Sequence, residues 1–442
     1  MARQGQTTSL AERVEIGERW TAGQKDPEIA VAMNLPVWTV RKWRRKYQRE
    51  GRSGLGSRLG RPPSGALGQF ALELCDTVRD LRERHPGWGP ITIRTELEGM
   101  PHFAGLRLPS RSRIAVFLHQ EGLTRKYERH TKLPQPRAVA VQRAHEEWEV
   151  DAQGVIKVSE LGAVSIINIS DLFSRVKVDS FPCLHTSHPS TRDHQLVLRR
   201  AFVRYGLPER ISLDHDSVFY DNVCLSPFPT VLHLWLIALG VEVRFIDKPP
   251  PAEHAVIERS HQTVTQQAIA GQHFGDEATL HDGLAQRLEF LNTRYPSRSL
   301  AGQPPLVAHP EASHSRRLYR LEWEEDLLNI HRVYAYLARG HWFRRSGPLG
   351  VFSLGSYRYG VGRAFANQTF EITFNTQTVE WICLPEAGPP VFHLPVQGLT
   401  KFALMGELSP LMACTTYQLA LPFSPAAWRE MMLVKDMTGM TL

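Results

Sequence analysis

The spacing of apolar residues changes along the chain, and each spacing predicts a different kind of domain. In residues 1–50 the apolar side chains recur at helical intervals, which predicts three short helices. The first runs from about Ser9 to Trp20, the second starts at Asp26, and the third starts at Val37. Asp26 followed by Pro27 is typical of a helix start, with the aspartate as N-cap and proline at the first helical position.

The third of these helices has two distinct faces. Val40, Trp43 and Tyr47 repeat at i, i+3 and i+7 and are predicted to pack inward. The predicted outward face carries the candidate DNA-binding residues Arg41, Lys42, Arg44, Arg45 and Lys46. A short helix, a turn and a basic helix form a helix-turn-helix pattern, in which the last helix enters the major groove. A solvated basic face on a small bundle is the alternative, but the clean separation of the faces favours a DNA-binding domain at residues 1–50.

Residues 51–65 are rich in Gly, Pro, Ser and Arg, and this composition predicts a flexible basic linker. Arg61 in this linker fits a narrow minor groove, where the electronegative cleft attracts arginine, or belongs to a plain tether. Residues 66–135 predict a second helix-turn-helix-like domain with three helices. Its last helix, from Ser110 to Gln120, carries the candidate DNA-binding residues Arg111 and Arg113.

Residues 140–310 alternate between strand and helix patterns. Strands are predicted near 147–153, 162–170, 174–182, 209–214 and 241–247, and helices near 190–204, 229–240 and 254–270. The first three strands follow one another through short turns, which predicts an antiparallel meander. The later strands alternate with helices, as in a mixed α/β sheet. A helical linker is predicted for 311–340.

The pattern changes again after residue 340. Short strands separated by Gly, Pro and Asn turn signals predict a small β-barrel at 341–400, followed by a C-terminal tail at 401–442. Tyr357, Arg358, Tyr359 and Arg363 lie in the predicted barrel. They suit either a DNA contact or ordinary packing and surface positions. The predicted fold is therefore multidomain: all-α helix-turn-helix modules, an α/β core and a small C-terminal β-barrel.

Charge is divided unevenly along the chain. Residues 1–140 hold 25 Lys and Arg against 14 Asp and Glu, while the rest of the chain holds 27 against 31. The N-terminal third therefore carries the affinity for a polyanion. Five widely separated cysteines with no C-x-x-C pair argue against disulfides or a cysteine zinc site. No signal peptide or membrane-spanning run is recognisable, so we expect a cytoplasmic protein that does not enter a membrane.

Three carboxylates occupy positions typical of a phosphoryl-transfer site. Asp151 and Asp214 each end a predicted strand, and Glu258 lies in the first turns of a predicted helix. If they converge, such carboxylates hold two Mg²⁺ ions about 4 Å apart, which polarise a phosphodiester and activate an attacking oxygen. A single carboxylate in any of these settings is usually a solvated charge. Their joint occurrence favours metal-dependent chemistry on nucleic acid.

A series of motifs resembles the DDE transposase and retroviral integrase superfamily, specifically bacterial insertion-sequence transposases. In order these are Trp148-x-x-Asp151, Asp171-Leu172-Phe173-Ser174-Arg175, Tyr205-Gly206-Leu207-Pro208 before Asp214, Val256-Ile257-Glu258-Arg259-Ser260-His261, Leu291-Asn292, Leu300-x-Gly302 and Pro305. Each motif is weak alone, and their order is specific. DNA-binding modules ahead of the core also fit, and the predicted barrel is similar to that of Mu-type transposases.

The resemblance implies an RNase H-like integrase catalytic core in which Asp151, Asp214 and Glu258 bind two Mg²⁺ (or Mn²⁺) ions. It implies cleavage at the end of a mobile element to expose a 3′ hydroxyl, which then attacks target DNA. The implied partners are double-stranded DNA at the element ends and target and a homo-oligomer formed on DNA, with an accessory ATPase left open. The implied location is the bacterial cytoplasm, in association with the nucleoid.

Several alternatives stay open. The family usually has Asp-Asn-Gly where this chain has Asp214-His215-Asp216, so Asp216 either serves as a ligand or caps a turn. Asp214 is the preferred ligand because it directly ends the apolar run. His261 and Gln262 lie near the Glu258 face of their helix and contact DNA phosphates or are polar surface. A catalytically inactive, transposase-derived DNA-binding regulator and a structure-selective nuclease are the competing functions.

Overall fold

The computed structural model describes residues 8–55, 65–124, 141–184, 188–221, 226–246 and 255–406. Two compact units divide the chain: Met1–Val78 with Pro109–Gly122, and Arg79–Leu108 with Leu123–Leu442. Arg61, most of the predicted linker, Cys224, Cys414 and the predicted tail from residue 407 lie outside the described residues.

Six α-helices occupy the described part of residues 8–124. They are α1 (Leu10–Thr21), α2 (Asp26–Ala32), α3 (Val37–Glu50), α4 (Leu72–Arg84), α5 (Pro90–Gly99) and α6 (Arg111–Gln120). The first three pack around Ile16, Ile29, Val40 and Trp43, which are almost completely buried. Helix α3 therefore starts at Val37 as predicted, and Val40 and Trp43 lie on its buried face.

The start of α2 differs from the prediction. Asp26 is the first helical residue, and Lys25 occupies the N-cap position. The Asp26 carboxylate forms ion pairs with Arg44 Nε at 2.9 Å and with Arg41 Nε at 3.7 Å. Because that carboxylate pairs with α3, the free backbone end is closed by Glu28, whose Oε2 accepts the Lys25 N–H at 2.9 Å. Asp26 thus forms a tertiary ion pair with α3 instead of capping its own helix.

A five-stranded mixed sheet forms the centre of the second unit. Its strands are β1 (Glu147–Val158), β2 (Gly162–Asp171), β3 (Lys177–Cys183), β4 (Arg210–Leu213) and β5 (Glu242–Phe245). The order across the sheet is β3-β2-β1-β4-β5. Strands β1 to β3 pair antiparallel as a meander, and β1, β4 and β5 pair in parallel. Both features of the predicted α/β core, the meander and the later crossovers, are confirmed.

Helices cover both faces of this sheet. They are α7 (Thr191–Tyr205), α8 (Val231–Ala238), α9 (Ala255–Val264) and α10 (Glu277–Thr293), with a π-helical turn at Thr265–Ile269 after α9. On one face, Trp148 of β1 stacks on Phe202 of α7, which in turn stacks on Trp235 of α8, with ring centroids about 6 Å apart. Apolar residues at alternate β1 positions thus face α7, which leaves the other alternate positions for α9.

A buried ion pair fastens the helices on the α7 side. Arg199 of α7 donates to both carboxylate oxygens of Glu324 at 2.7 Å, and the two side chains are 3% and 0% exposed. Trp235 Nε1 donates to the same carboxylate at 2.8 Å, and the Tyr319 hydroxyl also donates to it. Because every carboxylate oxygen is hydrogen-bonded, the buried charge is fully compensated. The network joins α7, α8 and the segment around residue 324.

The segment after α4 docks onto the helix pair α9–α10. Trp88 Nε1 donates to the backbone oxygen of Gln267 in the π-helical turn at 2.9 Å. Arg287 of α10 lies 4.1 Å over the Trp88 ring, donates to Gln267 Oε1 at 2.8 Å and pairs with Glu96 of α5. A Cβ at Gly87 would overlap the Gln266 carbonyl, so this close approach requires glycine. Contacts from the segment after α4 thus hold the π-helical turn at Thr265–Ile269 in place.

The described residues after α10 contain four short α-helices and six strands. They are α11 (Pro305–Ala308), α12 (Glu324–Leu327), α13 (Ile330–Leu337) and α14 (Lys401–Met405), with β6 (Trp342–Arg345), β7 (Val351–Leu354), β8 (Tyr357–Gly360), β9 (Thr369–Asn375), β10 (Glu380–Pro385) and β11 (Phe392–Pro395). The strands pair as a four-stranded sheet, β11-β10-β9-β6, and a β7-β8 hairpin. Strands are thus confirmed at 341–400, and the small barrel stays a prediction.

Of the four residues considered for DNA contact in this region, Tyr359 is buried. Its hydroxyl accepts from Trp381 Nε1 at 3.0 Å and from the Gln397 N–H at 3.1 Å, so it is a packing residue. Tyr357, Arg358 and Arg363 are exposed.

Cys183 and Cys383 are buried free thiols, and Cys75 is half-buried. None of the helices in the described ranges is both long and apolar enough to span a membrane.

Acid should destabilise the second unit through His233 of α8. This side chain is buried between the rings of Phe245 and Tyr336, and burial lowers its pKa to about 4. The unfolded histidine titrates near 6.5, so its contribution is complete above that pH and is lost as pH falls toward 4. In urea titrations, the unfolding free energy should fall over this range by up to about 3 kcal/mol more in wild type than in His233→Phe.

His393→Gln is the matched control, since His393 is exposed beside Glu380. It should retain the acid sensitivity of wild type. Equal pH dependence in wild type and His233→Phe would contradict the account of His233.

Candidate active site

The register of β1 against β4 leads toward Asp151 and Asp214. Strands β1 and β4 pair in parallel with Glu147 opposite Arg210, Trp148 opposite Ile211 and Glu149 opposite Ser212. Continued by two residues beyond the last pair, the same offset of 63 residues leads from position 151, in the middle of β1, to position 214, just after the end of β4. Because neighbouring strands lie about 4.8 Å apart, we expect these two residues, distant in sequence, to lie near each other.

One face of β1 carries three carboxylates at alternate positions, and their charges are compensated differently. Glu147 is buried and pairs with Arg244 Nη2 at 2.6 Å and Arg210 Nη1 at 3.0 Å. Glu149 is 1% exposed, and its Oε2 accepts the Ile257 N–H at 2.9 Å. Compensation therefore weakens along the face, from two guanidinium groups at Glu147 to one backbone N–H at Glu149.

At the third position, Asp151, the neighbouring charges are negative. Burial and, after it, the charges of Asp214, Asp216 and Glu258 raise the pKa of the Asp151 carboxyl to about 7, against a lowering by the Ala152 N–H. His261 Nε2 lies 3.9 Å from Asp151 Oδ2. The Asp151 carboxyl is thus electrostatically coupled to both of the other predicted carboxylates.

Helix α9 and the π-helical turn after it run along β1 and contact it at three successive levels. The Ile257 N–H meets Glu149, His261 approaches Asp151, and Thr265 Oγ1 accepts from Gln153 Nε2 at 2.8 Å. Two strand residues advance about 6.6 Å and four helical residues about 6.0 Å, so the two repeats nearly match. Ser170 Oγ of β2 adds a bond to Ser260 Oγ at 3.1 Å. These contacts fix the first turns of the helix that carries Glu258.

The loop after β4 presents two carboxylates. Asp214 Oδ1 accepts the Asp216 N–H at 2.9 Å, and Asp216 Oδ1 accepts from the Val218 N–H at 3.2 Å and from Ser217 Oγ at 3.1 Å. Asp216 thus caps the turn at 217–219, which is the structural role that the sequence left open for it. Its charge still acts on Asp151.

The predicted residues of α9 have separate surroundings. Glu258 is exposed in the first turn, where the positive end of the helix dipole favours a carboxylate. His261 is largely buried and faces Asp151, so it lies inside the acidic cluster. Gln262 is exposed and accepts from Arg259 Nη1 at 3.2 Å. Of the two polar residues predicted to contact DNA, only Gln262 lies on the outer surface.

The donor set fits a hard divalent cation. Carboxylate oxygens are the ligands that Mg²⁺ and Mn²⁺ prefer, and the mutual repulsion around Asp151 favours a bound cation. In the described ranges, no three His, Cys, Asp or Glu side chains lie close enough together to hold a metal ion. The predicted ligands are therefore electrostatically coupled without forming a ready-made coordination shell.

The remaining predicted DNA-binding residues lie in the first unit. Arg41, Lys42 and Arg45 are exposed on α3, whereas Arg44 is 21% exposed in its pair with Asp26 and Lys46 is half-buried. Arg111 and Arg113 are exposed in the first turn of α6, where Ser110 Oγ accepts the Arg113 N–H at 3.4 Å. The predicted basic residues are thus mostly exposed, and Arg41 and Arg44 also pair with Asp26 within the unit.

The sequence interpretation missed Glu149. Its signal is the alternation of acids at 147, 149 and 151, since a strand period of two places all three on one face. Nothing in the local sequence shows that Glu149 accepts an N–H from a helix 108 residues away. That contact depends on the tertiary arrangement.

No family model matches the chain. Among solved structures, it is similar to a chain of the simian T-cell lymphotropic virus intasome in complex with PP2A regulatory subunit B56 gamma, at 13% identity and a TM-score of 0.33, over 72% of this chain and 96% of that chain. It is similar to the HTLV-2 integrase catalytic core domain in complex with magnesium, in its trimeric form, at 12% identity and a TM-score of 0.28, over 38% of this chain and 97% of that chain. It is also similar to the BIV integrase catalytic core domain, at 18% identity and a TM-score of 0.28, over 38% of this chain and 96% of that chain.

Removing the acceptor at position 149 should loosen the start of α9. In Glu149→Leu the buried Ile257 N–H loses its partner, which costs about 1–3 kcal/mol, so amide exchange around 257–259 should accelerate roughly 5- to 160-fold. Glu149→Gln keeps an acceptor oxygen and should retain most of the protection. Hydrogen exchange read by mass spectrometry measures both.

Gln153→Leu is the matched control, because it removes the contact to Thr265 and leaves the first turn of α9 bonded. It should accelerate exchange near residue 265 only. Unchanged exchange at 257–259 in Glu149→Leu would show that Glu149 does not hold the helix.

Proposed function

We propose that this chain is a DNA transposase of the DDE transposase and retroviral integrase superfamily. In this proposal it binds the ends of a mobile element, cleaves to expose a 3′ hydroxyl and transfers that strand into target DNA. The observations that support it most directly are the parallel register of β1 against β4, which leads toward Asp151 and Asp214, and the docking of the Glu258 helix along β1. The order of family motifs in the sequence points to the same reaction.

Asp151, Asp214 and Glu258 are the proposed metal ligands. When bound there, two Mg²⁺ or Mn²⁺ ions would supply Lewis-acid chemistry, lowering the pKa of the attacking oxygen and stabilising the leaving one. The chain's own contribution is to hold these proposed ligands in position. Glu149 holds the first turn of α9 against β1, and Asp214 is held by the Asp216 N–H. No covalent intermediate with the protein is needed.

DNA binding is proposed for the basic N-terminal third. Arg41, Lys42 and Arg45 project from α3, and Arg111 and Arg113 project from α6. Residues 1–50 and 66–135 are proposed as two helix-turn-helix modules, with Arg61 in the basic linker between them. Phosphate contacts of this kind provide most of the affinity and make it salt-dependent.

Residues 140–310 are proposed as the RNase H-like catalytic core, followed by the linker at 311–340 and a small barrel at 341–400. Joining two element ends requires that both be held together, so a homo-oligomer on DNA is part of the proposal. An accessory ATPase is compatible with it. Gln262 is the proposed phosphate contact beside Glu258, since it lies on the exposed face of α9.

Single substitutions of the three carboxylates should separate binding from catalysis. Full-length protein would be incubated with Mg²⁺ or Mn²⁺, labelled duplexes carrying the DNA that borders its own gene, and a target plasmid. Asp151→Asn, Asp214→Asn and Glu258→Gln should each lower end joining by at least about a thousandfold while binding to the duplex is retained. Gel assays for cleaved and joined strands measure the first quantity, and fluorescence anisotropy measures the second.

Asp216→Asn is the matched control, because Asp216 caps the neighbouring turn and should leave joining within about tenfold of wild type. Joining that survives Asp214→Asn but is lost in Asp216→Asn would exchange their roles. Binding without cleavage by wild type would favour the alternative, an inactive transposase-derived regulator. Cleavage without joining would favour a nuclease.

A further inference from the structure

Trp38 is an exposed tryptophan on the basic helix. It is the second residue of α3, and 68% of its surface is exposed. Every other tryptophan in the described part of the chain is buried or half-buried. Exposed indoles are unfavourable in water, so a free tryptophan at this place suggests a surface that another molecule covers.

The side chains around Trp38 indicate the chemistry of that molecule. Arg41, Lys42 and Arg45 follow it at i+3, i+4 and i+7, so all four share one helix face, and all four are exposed. The opposite face carries Val40 and Trp43, which are buried in the core of the unit. This face therefore combines one large apolar ring with three positive charges. Such a surface is complementary to a polyanion that also presents apolar groups.

Double-stranded DNA has both properties. Phosphates line the rims of the major groove, and the C5 methyl group of thymine is its main apolar feature. In helix-turn-helix binding, the first residues of the second helix contact base edges. Trp38 stands in the first turn of α3, after the short helix α2, whereas the three cations extend along the next two turns.

We infer that Trp38 is a specificity-determining residue that contacts thymine methyl groups in the major groove, while Arg41, Lys42 and Arg45 bind the adjacent phosphates. This inference rests on the proposed DNA-binding function of the first unit. It adds a base preference that the cations alone do not provide, because phosphate contacts carry no sequence information.

The test is a binding selection with full-length protein on a library of random-sequence duplexes. Wild type should enrich a motif that contains thymine at one or two adjacent positions. Replacing those thymines by deoxyuridine removes only the methyl groups and should weaken wild-type binding about tenfold. Trp38→Ala should lose the thymine preference and be insensitive to deoxyuridine, whereas Trp38→Phe should keep part of both.

Arg45→Ala is the matched control on the same face. It should weaken binding to all sequences about equally and lower the salt dependence by about one counterion, without changing the motif. Because Trp38 is exposed, Trp38→Ala should unfold at the wild-type temperature, which circular dichroism verifies.

The outcomes separate this inference from the function on which it rests. Binding by wild type with the same motif in Trp38→Ala, or no effect of deoxyuridine, overturns the role of Trp38 and leaves DNA binding intact. Failure of wild type to bind any duplex overturns the DNA-binding proposal and this inference with it. A change in oligomeric state on Trp38→Ala, with the motif unchanged, would assign the indole to a contact between copies of the chain and overturn the inference.

Discussion

The near match between the repeat of β1 and the repeat of α9 is the constraint on which the candidate site depends. Strand residues spaced two apart, from Glu149 to Gln153, contact helical residues spaced four apart, from Ile257 to Thr265. A helix that crossed the strand at a steep angle would make only one such contact, which would leave the position of Glu258 undefined. Three successive contacts define both the position of the helix and its rotation about its axis. They therefore determine where the backbone of Glu258 lies.

The same face of β1 explains why negative charge accumulates at one end of the site. Glu147 is paired with two arginines, whereas the charges of Asp214, Asp216 and Glu258 all act on Asp151. Burying carboxylates costs stability unless they are paired, so a fold keeps an unbalanced group of them only where another part of the structure compensates. In this unit the buried Arg199–Glu324 pair and the aromatic stack of Trp148, Phe202 and Trp235 lie on the opposite side of the sheet.

The sequence predicted the elements well because their signals are local. Alternating apolar residues located the strands of the core, and the i, i+3, i+7 repeat of α3 located its buried face. The cap of α2 was wrong because Asp26 pairs with Arg44 from another helix, and Tyr359 packs because the neighbouring strands bury it. Glu149, the π-helical turn and its contact with Trp88 depend on residues more than a hundred positions apart, which no local pattern encodes.

The central claim is that Asp151, Asp214 and Glu258 form one divalent-cation site. Anomalous diffraction from crystals of the protein soaked in Mn²⁺ tests it most directly, because the signal locates the ion without any assay of activity. The account predicts a manganese peak at about 2.1 Å from a carboxylate oxygen of both Asp151 and Asp214, with Glu258 turned toward it. Manganese bound elsewhere, with no peak within ligating distance of Asp151, would contradict it.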